Sequence, residues 1–275
     1  MGAGELTAAG AAFDAVAGRF DERFGPWLSV AVQRRAVRAA LAAAFPPGAR
    51  LIELGGGTGE DALWLAERGR QVLMTDTSPA MVSVAAGKFA GRAGLEAQVV
   101  AAEALQSLAA ARQAAGAPRF DGAYSNFAGL NCVSDLRPAA AGLAQLLRPG
   151  AAALLVLFGA ACPAEVLVEA VRGRPANMLR RRARGEVPAR LSGRDFTVRY
   201  HRRRGIEAAM APWFSPAGRQ GIGVFVPPSA AEPWISRHPR LLGVLEALDR
   251  ALAGPLAGFG DHILYRFVRT EAPAP

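Results

Sequence analysis

LIELGGGTGEDALWLAERG, residues 51–69, sets a short apolar run against a glycine-rich turn and then a helical pattern. A glycine turn between a strand and a helix lets the backbone approach a ligand where any Cβ would clash, and it brings helix N–H groups near that ligand. Gly55, Gly57 and Gly59 follow a G-x-G-x-G spacing, whereas the dinucleotide fingerprint G-x-G-x-x-G needs glycine where Glu60 stands. Glu53 precedes the first glycine by two residues. The turn therefore points away from a pyrophosphate. Asp76, nineteen residues after Gly57, closes the next apolar run. A carboxylate at that strand end can accept both ribose hydroxyls of an adenosine.

Outward from this turn, short β-type runs alternate with helical stretches, as in a parallel sheet with crossover helices. Strands are expected at residues 50–54, 71–75, 95–100, 120–125 and 152–158, with helices at 60–67, 79–90, 102–114 and 136–147. Ser78 before Pro79 is a helix N-cap followed by proline at the first helical position. Beyond Pro163 the alternation breaks. A helix near 164–171 and a hairpin of 187–191 with 196–201 fill a basic stretch. Strands at 221–226 and 262–268, with a helix at 239–252 between them, then resume the sheet. Ahead of the first strand, an interrupted helical segment from Phe13 to Phe45 either covers one sheet edge or forms a lid over the ligand.

The runs LIELGGGTGEDALWLAERG, MTDTSPAMVSVA, FDGAYSN and LLRPGAAALLVLF together resemble the class I S-adenosylmethionine-dependent methyltransferases, nearest to the ubiquinone/menaquinone-type small-molecule enzymes. The resemblance covers Phe13 to Phe158 and is loose beyond Pro163. It implies an α/β fold, a Rossmann-like three-layer sandwich on a mostly parallel seven-stranded sheet with an antiparallel last strand. A basic helix/hairpin cover would be inserted after the fifth strand. The expected divisions are a helical cover (1–49), a cofactor-binding core (50–162), an inserted substrate cover (163–218) and a completion of the sheet (219–275).

The same resemblance implies S-adenosylmethionine as cofactor, with S-adenosylhomocysteine as product and no metal. Glu53, Gly55, Gly56, Gly57 and Gly59 would wrap the methionine and ribose end. Asp76 would hold the ribose, with Thr77 and Met81 near the adenine. The family often places an acid followed by a small residue after the third strand to read the adenine amino group, but here Ala101-Ala102-Glu103 stands in its place. Either the Ala102 N–H serves, or Glu103 reaches back, or the correspondence shifts by two. After the fourth strand, Ser125-Asn126-Phe127 occupies the substrate-side motif without the prolines of amino-methylating nucleic-acid enzymes. Ser125 and Asn126 would face the methionine. Asn126 would otherwise touch the substrate or cap a turn.

Methyl transfer from a sulfonium is an in-line displacement, so a base is needed only where the acceptor must lose a proton. His201, His262 and Tyr200 are the weak catalytic candidates, and each also has a structural explanation. Phe13, Phe20, Asn126, Phe127, Tyr200 and Trp213 are the substrate-side candidates.

The chain carries a formal charge of +9 over 275 residues. Twelve arginines between Arg172 and Arg204 face only Glu186 and Asp195, a local balance of +10 that leaves the rest near −1. This segment could attract an anionic acceptor through bidentate arginine contacts, or it could be a solvated loop. A nucleic-acid acceptor is the alternative reading, disfavoured by the missing proline motif and the neutral remainder. A cofactor-binding protein without chemistry is a second alternative. Cys132 and Cys162 make no metal-ligand spacing and read as reduced core thiols. The longest apolar run, twelve residues from Ala151 to Cys162, falls short of the about 20 that a membrane span requires. With no signal peptide visible, the expected location is cytoplasmic.

Overall fold

The computed structural model describes residues 6–275. Three helices, α1 (Ala8–Asp14), α2 (Phe20–Phe24) and α3 (Leu28–Ala44), precede the sheet. Alternation then runs β1 (Arg50–Leu54), α4 (Glu60–Ala66), β2 (Gln71–Asp76), α5 (Pro79–Phe89), β3 (Leu95–Val99), α6 (Leu105–Ala114), β4 (Phe120–Ser125), α7 (Arg137–Leu146) and β5 (Leu147–Phe158). The inserted stretch holds α8 (Pro163–Val171), α9 (Pro175–Met178), the hairpin β6 (Glu186–Leu191) with β7 (Arg194–Arg199), and α10 (Arg203–Met210). Strand β8 (Phe214–Ile222), α11 (Pro239–Leu252) and β9 (His262–Arg269) complete the chain.

The sheet has seven strands in the order β3-β2-β1-β4-β5-β9-β8, parallel except where β9 enters antiparallel between β5 and β8. This is the expected fold class. Central strands of such a sheet are covered on both faces, which is why Leu51, Ile52 and Leu54 are all fully buried. Ile52, Leu73, Leu155 and Ile263 face α6, α7 and α10, while Leu51, Met74, Leu154 and Leu264 face α3, α4 and α5. Ser78 caps α5 by accepting from Met81 N at 3.1 Å, as its position before Pro79 foretold.

Two expectations need correction. The sixth strand of the sheet runs from Phe214 to Ile222, not over 221–226. It is an edge strand with one neighbour, so residues 215–219 are exposed and no apolar run marks them, and Pro216 sits at its irregularity. Gly223, at φ +67°, turns the chain out of the sheet before Pro227 and Pro228. The second is α10, for which no element was expected. It opens on Arg203-Arg204-Gly205 and buries only Ile206, Ala209 and Met210, a stripe too narrow to stand out beside the arginines.

Helix α3 is tied to the sheet through Phe45, the residue after it, whose ring packs against Gly122 of β4. A Cβ built on Gly122 would fall 2.2 Å from the Phe45 ring. Gly122→Ala is therefore expected to destabilise the fold by about 1–3 kcal/mol, read as a lower melting temperature with an unchanged far-ultraviolet spectrum.

Candidate functional site

The carboxyl ends of β1, β2, β4 and β5 open into a cavity of about 560 Å³. Its floor begins with the glycine turn. Glu53 stands opposite Met74 and Tyr124 in register, so its side chain emerges where the sheet ends. It is 2% exposed, and its Oε2 has no partner among the described residues. Burial, reinforced by the charge of Asp61, pushes the Glu53 carboxyl well above the usual range. Asp76 at the end of β2 accepts from Gly57 N and Ser78 N, both at 2.9 Å. Burial also raises its carboxyl, against the pull of those backbone donors. Gly59 lies outside the cavity. It caps α4 at φ +79°, and a Cβ there would strike Phe89, so its role is the packing of the turn on α5.

Of the other residues expected at the cofactor, Gly55, Gly56, Gly57, Thr77, Met81, Ala102, Glu103 and Asn126 line the cavity and Ser125 does not. Ala102 and Glu103 open a short 3-10 turn after β3, with Cys132 across from them. Burial, with Asp76 and Glu103 nearby, pushes the Cys132 thiol up to about 12, which keeps it a neutral wall. Asn126 is spent within the protein. Its Nδ2 donates to Asp61 Oδ2 at 2.7 Å and its Oδ1 accepts from Phe127 N at 2.8 Å. Asp61 in turn accepts from Arg38 Nε at 2.7 Å. This network holds Phe127 and Ala128 at φ +47° and +60°, consecutive left-handed non-glycine residues that cost of order 1–3 kcal/mol each. The strain turns Phe127 into the cavity, under the Arg34 guanidinium at 4.9 Å.

The roof comes from both ends of the chain. Phe13 of α1 meets Phe20 of α2 at 6.3 Å and Phe196 of β7 at 5.9 Å between ring centroids. Phe13 and Phe20, with Leu191 of β6, pack in one cluster with Met81. Asp14 Oδ1 accepts from Ser78 Oγ and Ala80 N, and Asp21 accepts from Thr58 Oγ1 at 2.6 Å and from Lys88, the sole lysine, at 2.5 Å.

The far wall is the surprise of the basic insert. Arg181 is buried and donates to the carboxylates of Glu165 and Asp261 and to the carbonyls of Gly159 and Asp261. Arg180 donates to Glu165 Oε1 at 2.8 Å. These arginines fasten the cover to α8 and to the ends of β5 and β9. Burial opposes charge on Asp261, but His262 and Arg181 outweigh it and hold its carboxyl well below the usual range.

Phe13, Phe20, Phe127 and His262 line the cavity, whereas Tyr200, His201 and Trp213 do not. Tyr200 and His201 border a separate groove, where His201 Nε2 lies 2.8 Å from Val133 O and burial lowers its pKa. Trp213 packs on the core face that holds α7 and α10. Arg34, Asp61, Phe158, Glu165 and Arg181 were missed, and Asp261 was noted only as the neighbour of His262. Only Asp261, beside His262, carried a signal in the sequence.

A family model described as a methyltransferase domain matches residues 51–150. This stretch is a methyltransferase domain. It is 42% identical over 86 residues to the ubiquinone/menaquinone biosynthesis C-methyltransferase UbiE of Acidiphilium cryptum, a match spanning 30% of this chain and about a third (34%) of that relative. Among solved structures, an S-adenosylmethionine-dependent methyltransferase from Mesorhizobium loti superposes with a TM-score of 0.52 at 22% identity, covering 84% of this chain and 96% of its own. A structure on the conversion of a disulfide bond into a thioacetal group during echinomycin biosynthesis gives 0.50 at 21% identity, covering 86% and 82%.

The methyltransferase domain implies S-adenosylmethionine, and the cavity fits that cofactor. The unpartnered Glu53 Oε2 suits an ammonium group, and Asp76 keeps acceptor capacity for hydroxyls. Among the described residues no cluster of His, Cys, Asp or Glu could hold a metal, and no helix is long and apolar enough to cross a membrane.

Because Glu53 binds its proton more tightly in the folded state than the ordinary value near 4.3, folding stability falls as pH rises from that value through the folded one. Glu53→Gln is expected to melt higher than wild type at neutral pH without ligand, to lose that pH slope, and to bind the cofactor more weakly. Arg181→Ala leaves Asp261 without its guanidinium and Glu165 with Arg180 alone, and is expected to cost about 3–5 kcal/mol in chemical denaturation.

Proposed function

We propose that this chain transfers the methyl group of S-adenosylmethionine to a small, partly apolar metabolite held inside the cavity. The carrying observation is the roof: Phe13, Phe20 and Phe196 close over the cofactor end, and the cavity continues to Phe127 and Phe158. An acceptor must share about 560 Å³ with the cofactor, which suits a metabolite. The names of the UbiE relative and of the echinomycin structure also speak of biosynthesis.

The nucleic-acid reading loses its inner arginines. Arg180 and Arg181 are paired with Glu165 and Asp261, and Arg172 is spent on the Ala230 carbonyl. The bound cofactor supplies a methyl group on positive sulfur. The protein's part is to hold both partners in line and exclude water. Glu53 and the Gly55–Gly57 backbone would hold the methionine end, Asp76 the ribose, and Thr77, Met81 and Ala102 the adenine.

Calorimetry is expected to show saturable binding of S-adenosylmethionine, weakened about tenfold to a hundredfold in Asp76→Asn. Wild-type protein that binds none would overturn the assignment. Incubation with methyl-labelled S-adenosylmethionine and a small-molecule extract of the source organism is expected to yield a labelled metabolite.

A further inference from the structure

Three strand ends meet at the acceptor side of the cavity. His262, the first residue of β9, pairs in register with Phe158, the last of β5, and their rings stack at 4.8 Å and 24°. Phe127, thrown inward after β4, meets the same imidazole edge-on at 5.9 Å and 87°. The ring is clamped between two aromatic neighbours and is 6% exposed. Its Nδ1 lies 3.3 Å from Asp261 Oδ2, in an alignment that makes no hydrogen bond, and has no hydrogen-bond partner among the described residues. Asp261 is itself fixed by Arg181 at 2.6 Å and by Gln33 Nε2 at 3.2 Å. Nδ1 is thus the nitrogen beside the carboxylate, and a neutral ring protonated there carries its lone pair on Nε2. That atom receives no hydrogen bond from the described residues, and its ring lines the cavity.

We infer that His262, positioned by Asp261, is the general base of the methyl transfer, and that the natural acceptor presents a hydroxyl on a flat, apolar, phenol-like body. The inference rests on the methyltransferase reading above. The acceptor oxygen gains the methyl carbon, the carbon–sulfur electron pair stays on sulfur, and the hydroxyl proton passes to His262 Nε2. Asp261 balances the imidazolium until solvent takes the proton.

The charged and titratable groups around the ring are Asp261 on its own strand end, Glu165 on α8, Arg180 and Arg181 of the cover, Arg34 on α3, and Tyr200 behind Phe158. Arg180 and Arg181 are paired with carboxylates. The carboxylate beside the imidazole is Asp261. A thioether acceptor, which loses no proton on methylation, would need no such base.

The test uses the full chain with methyl-labelled S-adenosylmethionine and the small-molecule extract, from about pH 5.5 to 9, across the range in which a histidine titrates. Wild-type rate is expected to rise with pH along one ionisation, and the label to lie on a hydroxyl oxygen. His262→Ala and His262→Asn should lose about a hundredfold or more in kcat and lose that ionisation. Their S-adenosylhomocysteine affinity by calorimetry should stay within about twofold of wild type. Added imidazole should restore part of the rate to His262→Ala, which a purely structural histidine would not allow. Retained affinity with a wild-type rate and pH profile in both variants would overturn the base while leaving the methyltransferase reading intact, as would label on an atom that loses no proton. Wild-type protein that binds no S-adenosylmethionine would overturn both.

Discussion

One buried guanidinium holds the acceptor end of this molecule together. Arg181 places its donors on two carboxylates and two backbone carbonyls, all within the low-dielectric space between the cover and the ends of β5 and β9. Such a group is costly to bury and is kept only when its donors are matched. Here the match fixes three things together. It sets the path of the chain after α8, it holds Asp261 ionised beside His262, and it supports Phe158, over whose ring the guanidinium stands at 5.1 Å. The hairpin that follows reaches back to α1 from this anchor.

The opposite end of the cavity is organised by mismatch. Glu53 lies in a place where its charge is opposed by burial and by Asp61, and one oxygen goes without a donor. A chain selected for stability alone would not keep a buried, unpartnered carboxyl. Phe127 and Ala128 are strained in the same sense, held by Asn126 and Asp61 in conformations that only the surrounding network justifies. Departures from ordinary folding chemistry therefore concentrate around the cavity, at the two places where a ligand must be recognised.

The glycine turn, Asp76 and the capped helix at Ser78 were legible because each is local, its chemistry following from a few neighbouring residues. The sheet was legible because buried parallel strands leave continuous apolar runs. What escaped depends on distant partners. Twelve arginines in one segment look alike in sequence, and only tertiary structure distinguishes Arg181, inside, from its solvated neighbours. Tyr200 and Trp213 were expected at the substrate, but their burial is against Phe158 and the core face of α7, which no spacing reveals. Edge strand β8 was displaced by several residues because solvent on its outer side removes the apolar pattern that marks its neighbours.

The cavity's charges also bear on the acceptor. The basic segment suggested an anion, yet the arginines that reach the far wall arrive with Glu165 and Asp261 already bound. Among the cavity-lining arginines, Arg34 alone has no carboxylate partner among the described residues, and its guanidinium lies over Phe127. What remains toward the roof is apolar and aromatic: Phe13, Phe20, Phe24, Trp27 and Phe196. Aromatic walls of this kind gain from burying flat apolar surface and give an anion little compensation for its lost hydration. Under the proposed function, recognition of the acceptor in such a site would come mainly from shape and ring contact.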